Sequence, residues 1–192
     1  MDKILDTLVK TGAILGGHFL LTSGLHSDKY VEKFRLIENP ESLNFVCSSM
    51  AETYKDKNID VVLGAAIGGI LIAGGVGKHL NVKHIFTERV NDIMELRRGF
   101  TINKNSKVLI VEDIVTTGGS IFELLEVVKN CEAEVIGISS ILDRNDKPID
   151  FGASYAPLIQ YPVKSWKKED CPQCLNNLEI IHPGRSGKKV KI

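Results

Sequence analysis

The stretch from Val108 to Ser120, Val-Leu-Ile-Val-Glu-Asp-Ile-Val-Thr-Thr-Gly-Gly-Ser, gathers the residue types needed to hold a sugar phosphate. An apolar run, Val108 to Val111, delivers two adjacent carboxylates, Glu112 and Asp113. Ile114 and Val115 follow, then two hydroxyls (Thr116, Thr117), two glycines (Gly118, Gly119) and Ser120. Ser120 is expected to open a helix with Ile121, Leu124, Leu125 and Val128 on one face, and Glu123 to complete a capping box. A helix N-terminus presents free N–H groups and the positive end of a dipole, so it attracts anions. The glycines let backbone approach a phosphate closely, and the hydroxyls add donors. Two carboxylates would repel a bare phosphate chain, but they accept hydrogen bonds from vicinal hydroxyls. A ribose 5-phosphate meets both demands, with its phosphate on the loop and its 2- and 3-hydroxyls on the acids. The plain alternative is a strand–loop–helix connection with a hydroxyl cap.

Two other segments carry groups suited to anions. Residues 64–69 (Gly-Ala-Ala-Ile-Gly-Gly) follow one apolar strand and precede a helix, a place where backbone amides can meet an anion or simply make a tight turn. Residues 88–99 hold Arg89, Arg97 and Arg98 among Glu88, Asp92 and Glu95, so they read either as a phosphate clamp or as a salt-bridged hairpin. Two nucleotide motifs fail. A Walker loop would need Gly where Ile72 stands and Ser/Thr where His79 stands, and a dinucleotide fingerprint would need Gly at Leu80. Gly75 and Gly77 therefore read as helix-packing residues. Cys171-Pro-Gln-Cys174 has metal-ligand spacing, but a structural zinc site takes four ligands and only His182 stands nearby, so two reduced thiols in a knuckle-like turn is the expectation. Cys47 and Cys131 sit in apolar contexts and read as buried thiols.

The elements that must position these groups alternate between strand and helix. Helix is expected over 2–11, with Gly12 as its stop, and short strands over 18–21 and 30–36 flank a turn-rich connection at 22–28. Asn39 as cap and Pro40 at the first helical position open a helix whose apolar face is Leu43, Val46, Cys47, Met50, Ala51 and Tyr54. Strands follow at 59–63, 83–87, 107–111, 134–142 and 155–161, with a glycine-thinned helix over 69–80, whereas 90–97 has no clear period. This alternation predicts an α/β fold, a parallel central sheet with helices on both faces, which binds ligands at the carboxyl ends of its strands. The chain has 192 residues with 24 basic and 24 acidic side chains, enough length for one full core. Zero net charge argues against a protein that coats nucleic acid by bulk charge, and Lys188, Lys189 and Lys191 read as a solvated tail. No apolar run reaches the ~18–20 residues of a membrane span, and the N-terminus lacks a signal-peptide pattern, so a cytoplasmic protein is expected.

The four-residue apolar run, acid pair, two apolar residues and Thr-Thr-Gly of 108–118 resemble the phosphoribosyl-pyrophosphate signature of the type I phosphoribosyltransferases. The resemblance covers most of the chain. It is strongest to the orotate-using members, through Gly17-His-Phe-Leu-Leu-Thr-Ser-Gly-Leu-His-Ser-Asp-Lys-Tyr30 upstream and Leu142-Asp143-Arg144 downstream. The ending Cys171-Pro-Gln-Cys174 and Pro183-Gly184-Arg185 is similar to a tail found in part of that family. The resemblance implies a single phosphoribosyltransferase domain over 1–192 with a small hood formed by about 1–36 and 155–192. It implies transfer of ribose 5-phosphate from phosphoribosyl pyrophosphate (PRPP) to orotate, giving orotidine 5-phosphate and pyrophosphate in UMP biosynthesis. The alternatives are a phosphoribosyltransferase for a purine or another base, and a non-catalytic PRPP-binding regulator.

By the same resemblance Asp113 and Arg97 are catalytic. Glu112, Asp113, Ile114, Val115, Thr116, Thr117, Gly118, Gly119, Ser120, Arg89, Gly68 and Gly69 bind PRPP, and Thr116 and Arg144 contact orotate. Mg²⁺ is held mainly by the substrate rather than by protein ligands. A homodimer shares its 88–99 lid between subunits, and neither nucleic acid nor membrane is a partner. The commonest bacterial form has lysines where this chain has His26 and Gly68, and a lid of Arg-Lys-x-x-Lys-x-His where this chain has Val90, Ile93 and Glu95. Either Arg97, Arg98 and Lys29, or His26, take over those tasks, or catalysis is weaker.

Overall fold

The computed structural model describes residues 3–21, 23–147 and 149–183, which divide into two compact units. One unit joins residues up to 36 with those from 162 onward, and the other is 37–161. Thr22, Gly184, Arg185 and the terminal lysines lie outside the described residues.

The first unit begins with α1 (Lys3–Lys10), which buries Ile4 and Leu8. A hairpin follows, β1 (Ile14–Leu20) antiparallel to β2 (His26–Val31). The first strand starts four residues before the expected 18, because the Gly16–Gly17 pair that depresses strand propensity lies at a register shift between Gly16 and Phe19. The expected strand at 30–36 is also corrected, since α2 (Lys33–Ile37) occupies its second half. Adjacent Leu36 and Ile37 are both buried while Phe34 is exposed, a pattern that alternation in a strand cannot give.

The second unit opens with α3 (Pro40–Tyr54), where Asn39 Oδ1 accepts from the Ser42 N–H at 2.9 Å and the anticipated face is buried at Val46, Cys47, Met50, Ala51 and Tyr54. Then come β3 (Val61–Ala65), α4 (Gly68–Leu80), β4 (Lys83–Val90), β5 (Ile93–Leu96), β6 (Lys107–Val115), α5 (Gly119–Asn130), β7 (Glu134–Asp143) and β8 (Tyr155–Gln160). The sheet order is β5-β4-β3-β6-β7-β8, parallel throughout except for the antiparallel edge β4–β5. The β4–β5 turn, unread in the sequence, is made by Asn91 and Asp92 at φ 49° and 64°, the left-handed pair that tight hairpins favour.

Helices cover both faces. Val61, Leu63, Ala65, Val108 and Ile110 form a core with Ile121, Leu124 and Val128 of α5. Strand alternation turns Val62, Leu109 and Val111, all fully buried, to the other face, where α4 lies on β3, β4 and β6 and α3 packs on α4. Each such buried aliphatic contributes roughly 1.5–3 kcal/mol. Glycines permit the closest approaches. A Cβ on Gly75 would stand 2.4 Å from Cys47 Sγ, and one on Gly77 2.6 Å from the His84 Cβ, so both serve packing. One on Gly137 would stand 2.3 Å from the Tyr54 ring, whose hydroxyl donates to the Ile138 carbonyl at 2.8 Å.

The chain then returns to the first unit. Trp166 exchanges backbone hydrogen bonds with His26, and Ile181 bonds both His18 and Leu20. Between them lies α6 (Pro172–Leu175).

Candidate active site

Strand β6 runs four residues further than the apolar run suggested, so Glu112 and Asp113 lie within it rather than beyond it. Both are buried, at 8% and 3% exposure. Backbone amides hold them, with the Asp113 N–H donating to Glu112 Oε1 at 2.9 Å and the Ile114 N–H to Asp113 Oδ1 at 2.6 Å. Alternation places Glu112 on the face of Val108 and Ile110, and Asp113 on that of Leu109 and Val111. The acids therefore bracket the end of the strand from its two faces, rather than sitting side by side on one.

Residues 114–121 turn from β6 into α5 around a cavity of about 240 Å³. It is lined by Glu112, by Ile114 to Ile121 and by Arg89 and Glu123, which brings together most of the residues read as sugar-phosphate ligands. Gly118 is the helix cap at φ 76°, and a Cβ there would also meet Phe151 Cε1 at 2.7 Å, so the turn requires glycine. This corrects the expected capping box. The helix begins at Gly119, its cap offers no side chain, and the first-turn N–H groups are left for an anion.

Glu123 is free for a different task, because its carboxylate lies 2.7 Å from the Arg89 guanidinium. Arg89 also donates to the Asp92 carbonyl at 3.1 Å, so the β4–β5 hairpin fixes one wall of the cavity. The reading as a cap partner missed Glu123 as a lining residue. The available signal was its place on the first turn of an anion-binding helix.

Other predicted residues lie outside this lining, Asp113 at the end of β6 among them. Arg144 follows β7, and its N–H donates to the Val115 carbonyl at 2.9 Å, which sets it beside the end of β6. Gly68 and Gly69 are buried at the start of α4, where a Cβ on Gly64 would stand 2.4 Å from the Gly69 carbonyl oxygen. That loop is a tight strand-to-helix turn whose tip, Ile67, is exposed. Arg97 lies 3.6 Å from Glu95, and Arg98 makes two 2.9 Å hydrogen bonds to Glu88, holding that carboxyl below the usual carboxylate range. All four side chains belong to the hairpin surface.

Behind the acids lies a polar layer that the sequence did not announce. Ser140 pairs with Glu112 across the sheet and hydrogen-bonds the Tyr155 hydroxyl at 2.8 Å. Burial, with Asp143 and Glu112 nearby, pushes the Tyr155 phenol well up, so it stays a neutral hydroxyl. Asp143 accepts from both the backbone and the side-chain N–H of Asn145, at 2.9 and 2.7 Å. His26, a candidate substitute for a lysine, is buried at 3% exposure, with Nδ1 2.7 Å from His18 Nε2.

A phosphoribosyl transferase domain family matches residues 36–155. The orotate phosphoribosyltransferase of Caldanaerobacter subterraneus subsp. tengcongensis is 42% identical over 183 residues, 95% of this chain and 96% of the relative. The chain belongs to the orotate phosphoribosyltransferases. Among solved structures, the orotate phosphoribosyltransferase of Aeropyrum pernix superposes with a TM-score of 0.72 at 23% identity, covering 82% of this chain and 93% of that one. An adenine phosphoribosyltransferase of Thermoanaerobacter pseudethanolicus reaches 0.62 at 15% identity, covering 69% and 88%. The fold is thus common to proteins named as phosphoribosyltransferases for different bases. No helix among the described residues is long and apolar enough to cross a membrane.

Proposed function

We propose that this pentosyltransferase moves ribose 5-phosphate from PRPP to N1 of orotate, releasing pyrophosphate, with the β6–α5 segment as its sugar site. The observation that carries this reading is the cavity itself, which joins a helix N-terminus without a side-chain cap, three hydroxyl residues and a buried carboxylate in one space. The first-turn amides of α5 with Thr116, Thr117 and Ser120 anchor the 5-phosphate. Glu112 and Asp113, one on each face of the strand end, accept from the ribose hydroxyls and offset the positive charge that grows on the ring as the anomeric bond breaks. Arg89 pairs with Glu123 until a phosphate oxygen competes for it. Arg144, at the end of the neighbouring strand, supplies a cation for the orotate carboxylate, and Thr116 a hydroxyl.

Mg²⁺ fits as a companion of the substrate. Among the described residues no three or more carboxylates come together, and pyrophosphate and ribose oxygens with water would complete its shell. When bound, it neutralises charge on the leaving pyrophosphate. Arg97 and Arg98 are exposed and outside the cavity lining of their own subunit, a disposition suited to a lid that reaches a neighbouring subunit in a homodimer. Lid closure would exclude the water that hydrolyses an activated sugar.

Loss of orotate absorbance tests the reading. Turnover that requires both PRPP and Mg²⁺, with none on adenine or hypoxanthine, is expected. Turnover of a purine without loss of orotate would overturn the base assignment. PRPP binding without turnover of any base would point to the regulator instead.

A further inference from the structure

In the first unit, four side chains drawn from both ends of the chain converge. His18 lies in β1, His26 opens β2, Cys171 caps α6 and Cys174 lies within it. One potential ligand atom from each falls within 4.8 Å of all the others. Cys171 Sγ is 3.5 Å from His18 Nε2, and Cys174 Sγ is 3.6 Å from His18 Nε2 and 3.4 Å from His26 Nδ1. Zinc–nitrogen bonds of about 2.0–2.1 Å and zinc–sulfur bonds of about 2.3 Å set nitrogen–sulfur edges of about 3.5 Å in a tetrahedron. The three measured edges match that value. The nitrogen–nitrogen edge, 2.7 Å, would open by about 0.6 Å to receive the ion.

The surroundings suit a metal better than a pair of idle thiols. His18, His26 and Cys171 are 2%, 3% and 0% exposed. His18 Nδ1 is 2.8 Å from the Leu178 carbonyl. A carbonyl only accepts, so Nδ1 carries the proton and Nε2 turns its lone pair toward the other three groups, the usual outer support of a metal-bound histidine. The Cys171 thiol meets Gln173 Oε1 at 3.3 Å, and the same amide, turned over, donates to a thiolate. A Cys171–Cys174 disulfide would leave two imidazoles facing each other with nothing to bind. Four protein ligands leave no open position, so the site is structural rather than catalytic, and a tetrahedral pair of sulfurs and nitrogens selects zinc.

We propose that His18, His26, Cys171 and Cys174 form a structural Zn²⁺ site that fastens the C-terminal segment to the β1–β2 hairpin. Among its described residues this small unit has few large, fully buried apolar side chains, chiefly Leu8, Phe19 and Leu36, which is the circumstance in which a metal staple contributes most. The sequence count came up one ligand short because it looked for histidines beside the cysteines. His182 is exposed and outside the group, while the two true neighbours lie at the other end of the chain.

The test uses the untagged full chain purified under reducing conditions, and it does not depend on the proposed reaction. About one zinc per chain is expected by elemental analysis. Replacement by Co²⁺ should give the visible bands of tetrahedral cobalt with sulfur charge transfer. Cys174→Ser, a change at a partly exposed position, should weaken Co²⁺ binding more than 100-fold and lower the thermal midpoint. Cys171→Ser should do the same, and if it fails to fold, direct Co²⁺ titration of the wild-type chain decides the matter. Absence of zinc together with no tetrahedral cobalt spectrum would overturn the proposal. So would zinc content unchanged in Cys174→Ser, or a mass and thiol count showing a Cys171–Cys174 disulfide.

Discussion

The sugar site and the four-ligand group are both small polar clusters, yet they are assembled in opposite ways. The first is written mainly in one run of 13 residues, 108–120, because a phosphate cradle is made of backbone and consecutive side chains at a strand-to-helix turn. The second draws Cys171 and His18 together across 153 positions. A cradle needs the correct turn, whereas a tetrahedron needs a tertiary structure to bring its corners together. The first is therefore expected to govern turnover with little effect on stability, and the second to govern stability.

The largest effect expected is on activity. Asp113→Asn and Thr116→Ala should each lower kcat/KM, the former by about 100-fold, since hydrogen bonds to a charged group contribute roughly 1.5–3 kcal/mol. Thermal midpoints should hardly move, because neither change alters packing. Next comes Gly118→Ala. Its left-handed backbone and the Phe151 ring at 2.7 Å should cost about 1–3 kcal/mol and distort the cradle, so calorimetry and PRPP binding should both decline. Gly137→Ala breaks the comparison from the other side. Its new Cβ would press on Tyr54, and about 1–3 kcal/mol of stability should be lost with the KM for PRPP retained. Arg89→Ala should raise the KM for PRPP about 10-fold, the value of one modest phosphate contact. Smallest of all, Arg98→Ala should leave the thermal midpoint unchanged, because its pairing with Glu88 is at the surface.

Much of the fold was readable for physical reasons. Asn39-Pro40 and the apolar steps to Tyr54 specify a capped amphipathic helix locally, and the run 107–111 has no reading other than a strand buried on both faces. Features set by partners rather than by local pattern escaped. Polar Glu112 and Asp113 stay within β6 because β7 pairs on both sides of Asp113, at Glu112↔Ser140, Ile114↔Leu142 and Val115↔Asp143. Gly16 and Gly17 enter a strand because a bulge accommodates them. Glu123 met the rule for a capping box and instead serves Arg89, since the true cap is Gly118, one of the glycines already assigned to the phosphate. Ser140 and Tyr155 carry no local signature, and only the order of strands makes them neighbours of the acids.

The most direct test of the central claim is the kcat/KM of Asp113→Asn for PRPP, read from the loss of orotate absorbance. A fall of about 100-fold, with an unchanged thermal midpoint, is the predicted result. Activity within about twofold of the wild type would show that the sugar does not rest on the end of β6.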